Sequence, residues 1–156
     1  MTAQVWIAIL VGLAATIDDL ARRQIANWIP AAALAGGIGW QIGTNGLLPG
    51  LGYAALGTVA GFCVFLIFYL LGGMGGGDVK LMAGFGALLG LTGVLWAAFW
   101  TALAGGVLAV LVMGGKALWR MVRRQGTEVV DRGLKESIPY APAITLGVWL
   151  ALVPKG

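Results

Sequence analysis

Long apolar stretches, separated by short polar or glycine-rich segments, dominate the pattern of the chain. About 20 apolar residues span the hydrocarbon core of a bilayer, and six stretches are candidates for this role. They are Gln4–Ile17, Trp28–Ile42, Leu51–Leu71, Val79–Leu89, Val94–Gly115 and Ile138–Val153. The pattern predicts an all-α protein: a polytopic membrane helix bundle with six transmembrane helices, forming a single domain over residues 1–156.

The fourth stretch is short because the segment Gly90–Gly93 has the composition of a turn. Only about 11 residues then remain for the helix, which corresponds to about 17 Å. A bundle of five spans with one re-entrant segment is the alternative interpretation. Small residues at four-residue spacing also recur, and such pairs favour close helix contacts in lipid. These pairs are Gly39/Gly43, Gly57/Gly61 and Gly86/Gly90.

Composition supports a membrane protein and excludes several kinds of active site. The chain is 60% hydrophobic and 10% charged, whereas soluble domains carry about 25% charged residues. Histidine is absent and Cys63 is the one cysteine, which excludes disulfide frameworks, histidine zinc sites and Ser-His or Cys-His nucleophile pairs. Any catalysis must therefore use Asp, Glu, Lys, Arg or Tyr, and we expect no cofactor and no metal.

The positions of the charged residues predict the orientation of the bundle. With six spans, nine of the ten basic residues fall on one face, and Lys155 falls on the other. The positive-inside rule makes the crowded face cytoplasmic. The nine residues are Arg22, Arg23, Lys80, Lys116, Arg120, Arg123, Arg124, Arg132 and Lys135. The net charge of +4 suits anionic membrane lipid; we expect neither nucleic acid nor nucleotide as a partner.

Aspartates end one span and begin another on this same face. Asp18 and Asp19 close the first span, and Asp78 opens the fourth after a glycine run. Two carboxylates brought close together cannot both ionise easily, so one keeps its proton and the pair supplies an acid and a base. The simpler alternatives are that Asp78 is a helix cap and that Lys80 is a snorkelling anchor.

Three landmarks give the sequence a resemblance to a known family. Gly75-Gly76-Gly77-Asp78 matches a G-x-G-D motif, and the aspartate-plus-basic stretch Asp19–Trp28 and the segment Ile138–Pro142 follow the same family pattern. The chain resembles the type IV prepilin peptidases, which are membrane aspartic proteases. The spacing of the second landmark selects Asp19 over Asp18, although Ala26 replaces the usual proline.

The resemblance implies an activity and a set of site residues. Asp19 and Asp78 are the expected catalytic residues, with Gly75, Gly77 and Lys80 binding substrate or supporting the motif. The implied substrates are prepilins with a short basic leader, a glycine before the cut and a hydrophobic helix after it. The chain resembles the short peptidase-only form of tight-adherence (Flp-type) pilus systems, without an N-terminal methyltransferase region. The implied location is the bacterial inner membrane, with the active site at the cytoplasmic face.

Other functions are compatible with parts of this pattern. An ion- or proton-coupled transporter also uses membrane carboxylates and broken helices, although no acid lies mid-span here. A non-catalytic assembly subunit would use its polar residues as helix caps alone. A presenilin-like protease would carry Tyr-Asp where this chain has Ile17-Asp18 or Asp18-Asp19.

Overall fold

The computed structural model describes residues 2–122 and 140–153, and all the regular structure in these two ranges is helical. The helices are α1 (Ala3–Arg22), α2 (Trp28–Asn45), α3 (Leu47–Leu70), α4 (Gly76–Val122) and α5 (Ala141–Leu152). The prediction of an all-α protein is confirmed. The charged stretch of residues 123–139, with Ser137, lies outside the described residues. So does Lys155, the basic residue predicted for the other face.

The helices suit a bilayer, but the predicted count of six transmembrane helices is not seen. Among the described residues, three segments are long and apolar enough to cross a membrane: Ala3–Arg22, Leu47–Leu70 and Gly76–Leu108. Ala141–Leu152 is apolar but shorter. Large apolar side chains on the outer faces are exposed, as Leu70 is at 74%, and such a surface is typical of contact with lipid or with another protein.

The predicted turn at Gly90–Gly93 is a break inside α4, so the described part of the chain has five helices where six were predicted. Gly90 alone leaves helical geometry, at φ 69° and ψ −178°, a left-handed region open to glycine. A Cβ added at Gly61 would lie 2.6 Å from the Met82 carbonyl oxygen and 3.1 Å from Val94 Cγ2. A straight helix would separate those two residues by about 18 Å, so α4 folds back on itself. Its first arm precedes Gly90 and its second arm follows it.

Two glutamines compensate for the break. The carbonyl oxygen of Leu88 accepts hydrogen bonds from Gln4 Nε2 at 2.9 Å and from Gln41 Nε2 at 3.3 Å. An interrupted helix leaves carbonyl groups without their usual partners, and in an apolar environment each such group is costly. Gln4 of α1 and Gln41 of α2 therefore stabilise the end of the first arm.

The first arm of α4 is the centre of the bundle, and glycines bring its backbone against α2 and α3. Every residue from Leu81 to Leu88 in this arm is buried. Gly57 and Gly86 face each other across the α3–α4 contact, since a Cβ added at either would clash with the other's backbone. Gly39 and Gly43 have no such neighbour, so the prediction of close contact at that pair is wrong: their faces are open.

A series of hydrogen bonds joins α1 and α5 in antiparallel orientation. Trp149 Nε1 donates to the Ala8 carbonyl oxygen at 3.2 Å, and Thr145 Oγ1 donates to the Gly12 carbonyl oxygen at 3.1 Å. Thr145 also lies 3.1 Å from the hydroxyl of Thr16. These contacts fix the axial position of α5 and bring its N-terminus to the end of α1.

Substituting Gly57 with alanine tests the backbone contact between α3 and α4. We expect Gly57→Ala to lower the unfolding free energy by about 1–3 kcal/mol, because the added methyl overpacks a closed contact. Gly39→Ala is the matched control, since its methyl enters open space and alanine favours a helix by about 1 kcal/mol over glycine. Unfolding of both variants in detergent, followed by circular dichroism, measures the difference; equal stabilities would contradict the contact.

Candidate active site

Asp19 lies in the last turn of α1, where α5 begins. Its side chain is buried, with 7% of the residue exposed, and its Oδ2 accepts a hydrogen bond from the Ala141 backbone N–H at 3.1 Å. Ala141 is the first residue of α5. A carboxylate is unfavourable at the C-terminus of its own helix and favourable at the N-terminus of another. The meeting of the two helices therefore gives Asp19 a stabilising partner.

Asp78 is the third residue of α4 and is equally buried, with 6% exposed. Its Oδ2 accepts a hydrogen bond from the Gly75 backbone N–H at 3.0 Å. An acidic side chain that reaches back to the residue before a helix is half of a capping box. The alternative that Asp78 is the N-cap residue is wrong in position, because Asp78 lies inside the first turn of α4. Its carboxylate instead reaches back to Gly75, and this bond fixes the orientation of the group.

The two aspartates line one small cavity, although they are far apart in the sequence. The cavity has a volume of about 50 Å³, which holds one or a few water molecules. Its walls come from the end of α1, the segment after it and the start of α4. The lining residues are Asp19, Arg23, Gln24, Ile25, Gly75, Gly77 and Asp78. The arrangement can therefore place water between two carboxyl groups.

Asp18 has a different environment from its neighbour. Its Oδ1 lies 3.3 Å from Arg22 Nε, and its Oδ2 accepts a hydrogen bond from the Ala26 backbone N–H at 2.8 Å. These contacts hold the segment that follows α1, and Asp18 does not line the cavity. Of these two neighbours, the structure places Asp19 against the cavity with Asp78.

The three supporting residues from the sequence analysis occupy two different places. Gly75 and Gly77 line the cavity, and a Cβ added at Gly77 would lie 3.2 Å from Ile25 Cβ. Lys80 is exposed, and its Nζ donates to Asn27 Oδ1 at 3.0 Å. It borders a separate groove of about 360 Å³ between α2 and α3, so the structure does not bring it to the aspartates.

The sequence analysis does not predict several parts of the site. Arg23 lies in a left-handed conformation, with φ 53°, and this turn directs Gln24 and Ile25 along the cavity. The donor at Ala141 is a backbone N–H, so no side chain in the sequence indicates its role. Its nearest sequence sign is the Ile138–Pro142 landmark, of which only Tyr140–Pro142 lies in the described residues.

The comparisons with known proteins identify the family. The sequence pattern of the type IV leader peptidase family matches residues 6–110, which include both aspartates. The chain belongs to the type IV leader peptidase family. This family membership and the long apolar helices together indicate that the protein is an integral membrane protein.

One relative in this family is a prepilin leader peptidase/N-methyltransferase of Bacillus subtilis (strain 168), with 35% identity over 99 residues. The matched region covers 62% of this chain and 34% of the relative, so the chain spans about a third of the relative's length. No solved structure matches the chain significantly. Over residues 2–122 and 140–153, no three His, Cys, Asp or Glu side chains come together as metal ligands would.

A cross-linking experiment tests whether Asp19 and Asp78 face each other. In a background with exposed Cys63 replaced by serine, we expect the pair Asp19→Cys and Asp78→Cys to be joined by a short bifunctional thiol reagent, because both positions line one cavity. The pair Asp18→Cys and Asp78→Cys is the control and should cross-link much more slowly. Intact mass measures the bridged fraction; equal yields from both pairs would contradict the site.

Proposed function

We propose that this protein is a membrane aspartic endopeptidase that removes the leader of prepilins. The supporting observation is that Asp19 and Asp78, each held by a backbone N–H, line a common cavity large enough for water. Membership of the leader peptidase family agrees with this activity. In this proposal the two aspartates form the catalytic dyad.

The chemistry follows from one ionised and one protonated carboxyl group. The ionised carboxylate takes a proton from water as the water oxygen attacks the scissile carbonyl carbon. The protonated partner donates a hydrogen bond to the carbonyl oxygen and stabilises its developing negative charge. Collapse of the tetrahedral intermediate breaks the C–N bond, and the departing amine nitrogen receives a proton from the dyad. The hydrogen bonds from Gly75 and Ala141 restrain both carboxyl groups during these steps.

The proposed substrate has a basic leader, a glycine before the cut and a hydrophobic helix after it. Both aspartates lie at one end of the bundle, together with Arg22, Arg23 and Lys80, and the positive-inside rule then favours cleavage at the cytoplasmic face. We propose a bacterial inner-membrane location and six crossings, with the two arms of α4 as separate passes. Pilins of the tight-adherence type are the first substrates to test.

The glycine run before α4 is the proposed path of the substrate backbone. Gly72, Gly73, Gly75 and Gly76 are exposed, and the absence of side chains lets another backbone approach closely. The N–H groups of Gly72, Gly73 and Gly75 already donate within the protein, so an extended segment would gain main-chain hydrogen bonds by donating its own N–H groups to the carbonyl oxygens of the run. The scissile bond would then pass beside Gly77 and the dyad.

Neutral substitution of each aspartate tests the dyad. We expect Asp19→Asn and Asp78→Asn each to lower kcat/KM for prepilin cleavage by about 10²–10⁴-fold, because each removes one acid–base partner. Asp18→Asn is the matched control and should cleave within a few-fold of the parent, since an amide oxygen can still accept the Ala26 bond. Leader loss from a purified prepilin in detergent or liposomes gives the rates.

Each result of that experiment has a definite meaning. Unfolding curves of the three variants should match the parent, which separates chemistry from stability. Undiminished cleavage by both dyad variants would contradict an aspartic mechanism. Ion or proton flux through liposomes without any cleavage would instead favour the transporter.

Substituting Gly77 with valine tests whether the substrate needs the space that this glycine leaves in the cavity wall. We expect Gly77→Val to lower kcat/KM by at least about 10-fold, because the side chain would displace Ile25 and narrow the site. Gly52→Val is the matched control: a Cβ there meets no atom within 4 Å, and Gly52 lies in α3, outside the proposed path. The measurement is the cleavage rate of each folded variant. Equal rates would exclude a role for Gly77 in admitting the substrate.

A further inference from the structure

A second cavity lies against the backbone segments that hold the dyad. It has a volume of about 200 Å³ and lies between α3, the second arm of α4 and the start of α5. We call it the Met74–Tyr140 pocket. Its principal walls are Phe65, Phe68, Met74, Ala98, Gly105 and Tyr140.

The walls of this pocket suit an aromatic or similarly large apolar group. The rings of Phe65 and Phe68 meet edge to face, with centroids 6.2 Å apart, and the thioether of Met74 favours aromatic neighbours. Small residues keep the space open: a Cβ added at Gly105 would lie 3.3 Å from Tyr140 Cε1. An apolar cavity of about 150 Å³ in another protein takes up benzene, so this volume admits an aromatic side chain.

The pocket is connected to the dyad by two single peptide units. Met74 directly precedes Gly75, whose N–H binds Asp78. Tyr140 directly precedes Ala141, whose N–H binds Asp19. Consecutive Cα atoms are 3.8 Å apart, so a group in the pocket contacts residues adjacent to the supports of both carboxyl groups. This continuity sets the pocket apart from the other apolar grooves on the described surface.

We propose that the Met74–Tyr140 pocket is a specificity pocket that binds one large apolar side chain of the substrate, located within the first six residues after the cut. The inference rests on the proposed function, in which a glycine precedes the cut and an apolar segment follows it. An extended segment covers about 3.3 Å per residue, so residues just past the dyad reach the pocket.

Filling the pocket tests the proposal through a change in substrate preference. The substrates are a prepilin and six variants, each with one of the first six residues after the cut replaced by alanine. We expect Ala98→Phe to lower kcat/KM for the parent prepilin by at least about 10-fold, a typical effect of lost space in an apolar pocket. For the one substrate that already carries alanine at the occupying position, the loss should be under about 3-fold.

The matched control is Ala55→Phe, which adds the same ring at an exposed position of α3 outside the pocket. It should cleave all seven substrates within about 2-fold of the parent protein. If Ala98→Phe does not fold, Ala102→Leu, at an exposed position of the pocket wall, replaces it. Non-additivity between the protein and substrate changes identifies the position in contact.

Two outcomes would contradict the assignment of the pocket and leave the proposal of the dyad standing. Either Ala98→Phe behaves like Ala55→Phe on every substrate, or its loss is the same for all seven, as expected if lipid fills the pocket. In both cases the parent protein still cleaves and Asp19→Asn does not. Failure of the proposed function is different, because the parent protein then cleaves no prepilin.

Discussion

The rest of the site depends on two buried carboxyl groups, each bound by a backbone N–H at a helix N-terminus. Burial of charge in an apolar bundle is costly unless a partner compensates, and helix N-termini supply both a donor and a favourable dipole. Asp78 uses the start of its own helix α4, through Gly75. Asp19 uses the start of α5, through Ala141. The site therefore requires three helix ends to meet.

The packing of the bundle determines that meeting. The hydrogen bonds of Trp149 and Thr145 fix α5 along α1, so Ala141 arrives at the level of Asp19. Glycine contacts bring the first arm of α4 against α3 at Gly57 and Gly86, and the reversal at Gly90 returns the chain along the same helix. Contacts far from the cavity thereby set the positions of the two carboxyl groups.

The sequence points to the candidate acids more directly than to the groups that hold them. Side chains such as Asp19 and Asp78 are rare in apolar chains and stand out, and the spacing of the motif separated Asp19 from Asp18. The N–H of Ala141 is a backbone group that every residue except proline has, so only tertiary structure singles it out. Gly90–Gly93 was recognised as a turn, but a single residue reverses the chain there. Four-residue spacing could not tell Gly57, which faces a helix, from Gly39, which faces open space.

The same supports relate the dyad to substrate binding. A side chain in the Met74–Tyr140 pocket would contact residues bonded to Gly75 and Ala141, the two donors that orient the carboxyl groups. Binding at a remote point of a substrate assists catalysis when it also aligns the reacting groups. Here Met74 and Tyr140, in the pocket wall, each directly precede the residue whose N–H binds one of the carboxyl groups. In the proposed function, recognition of the apolar segment and alignment of the dyad are therefore parts of one event.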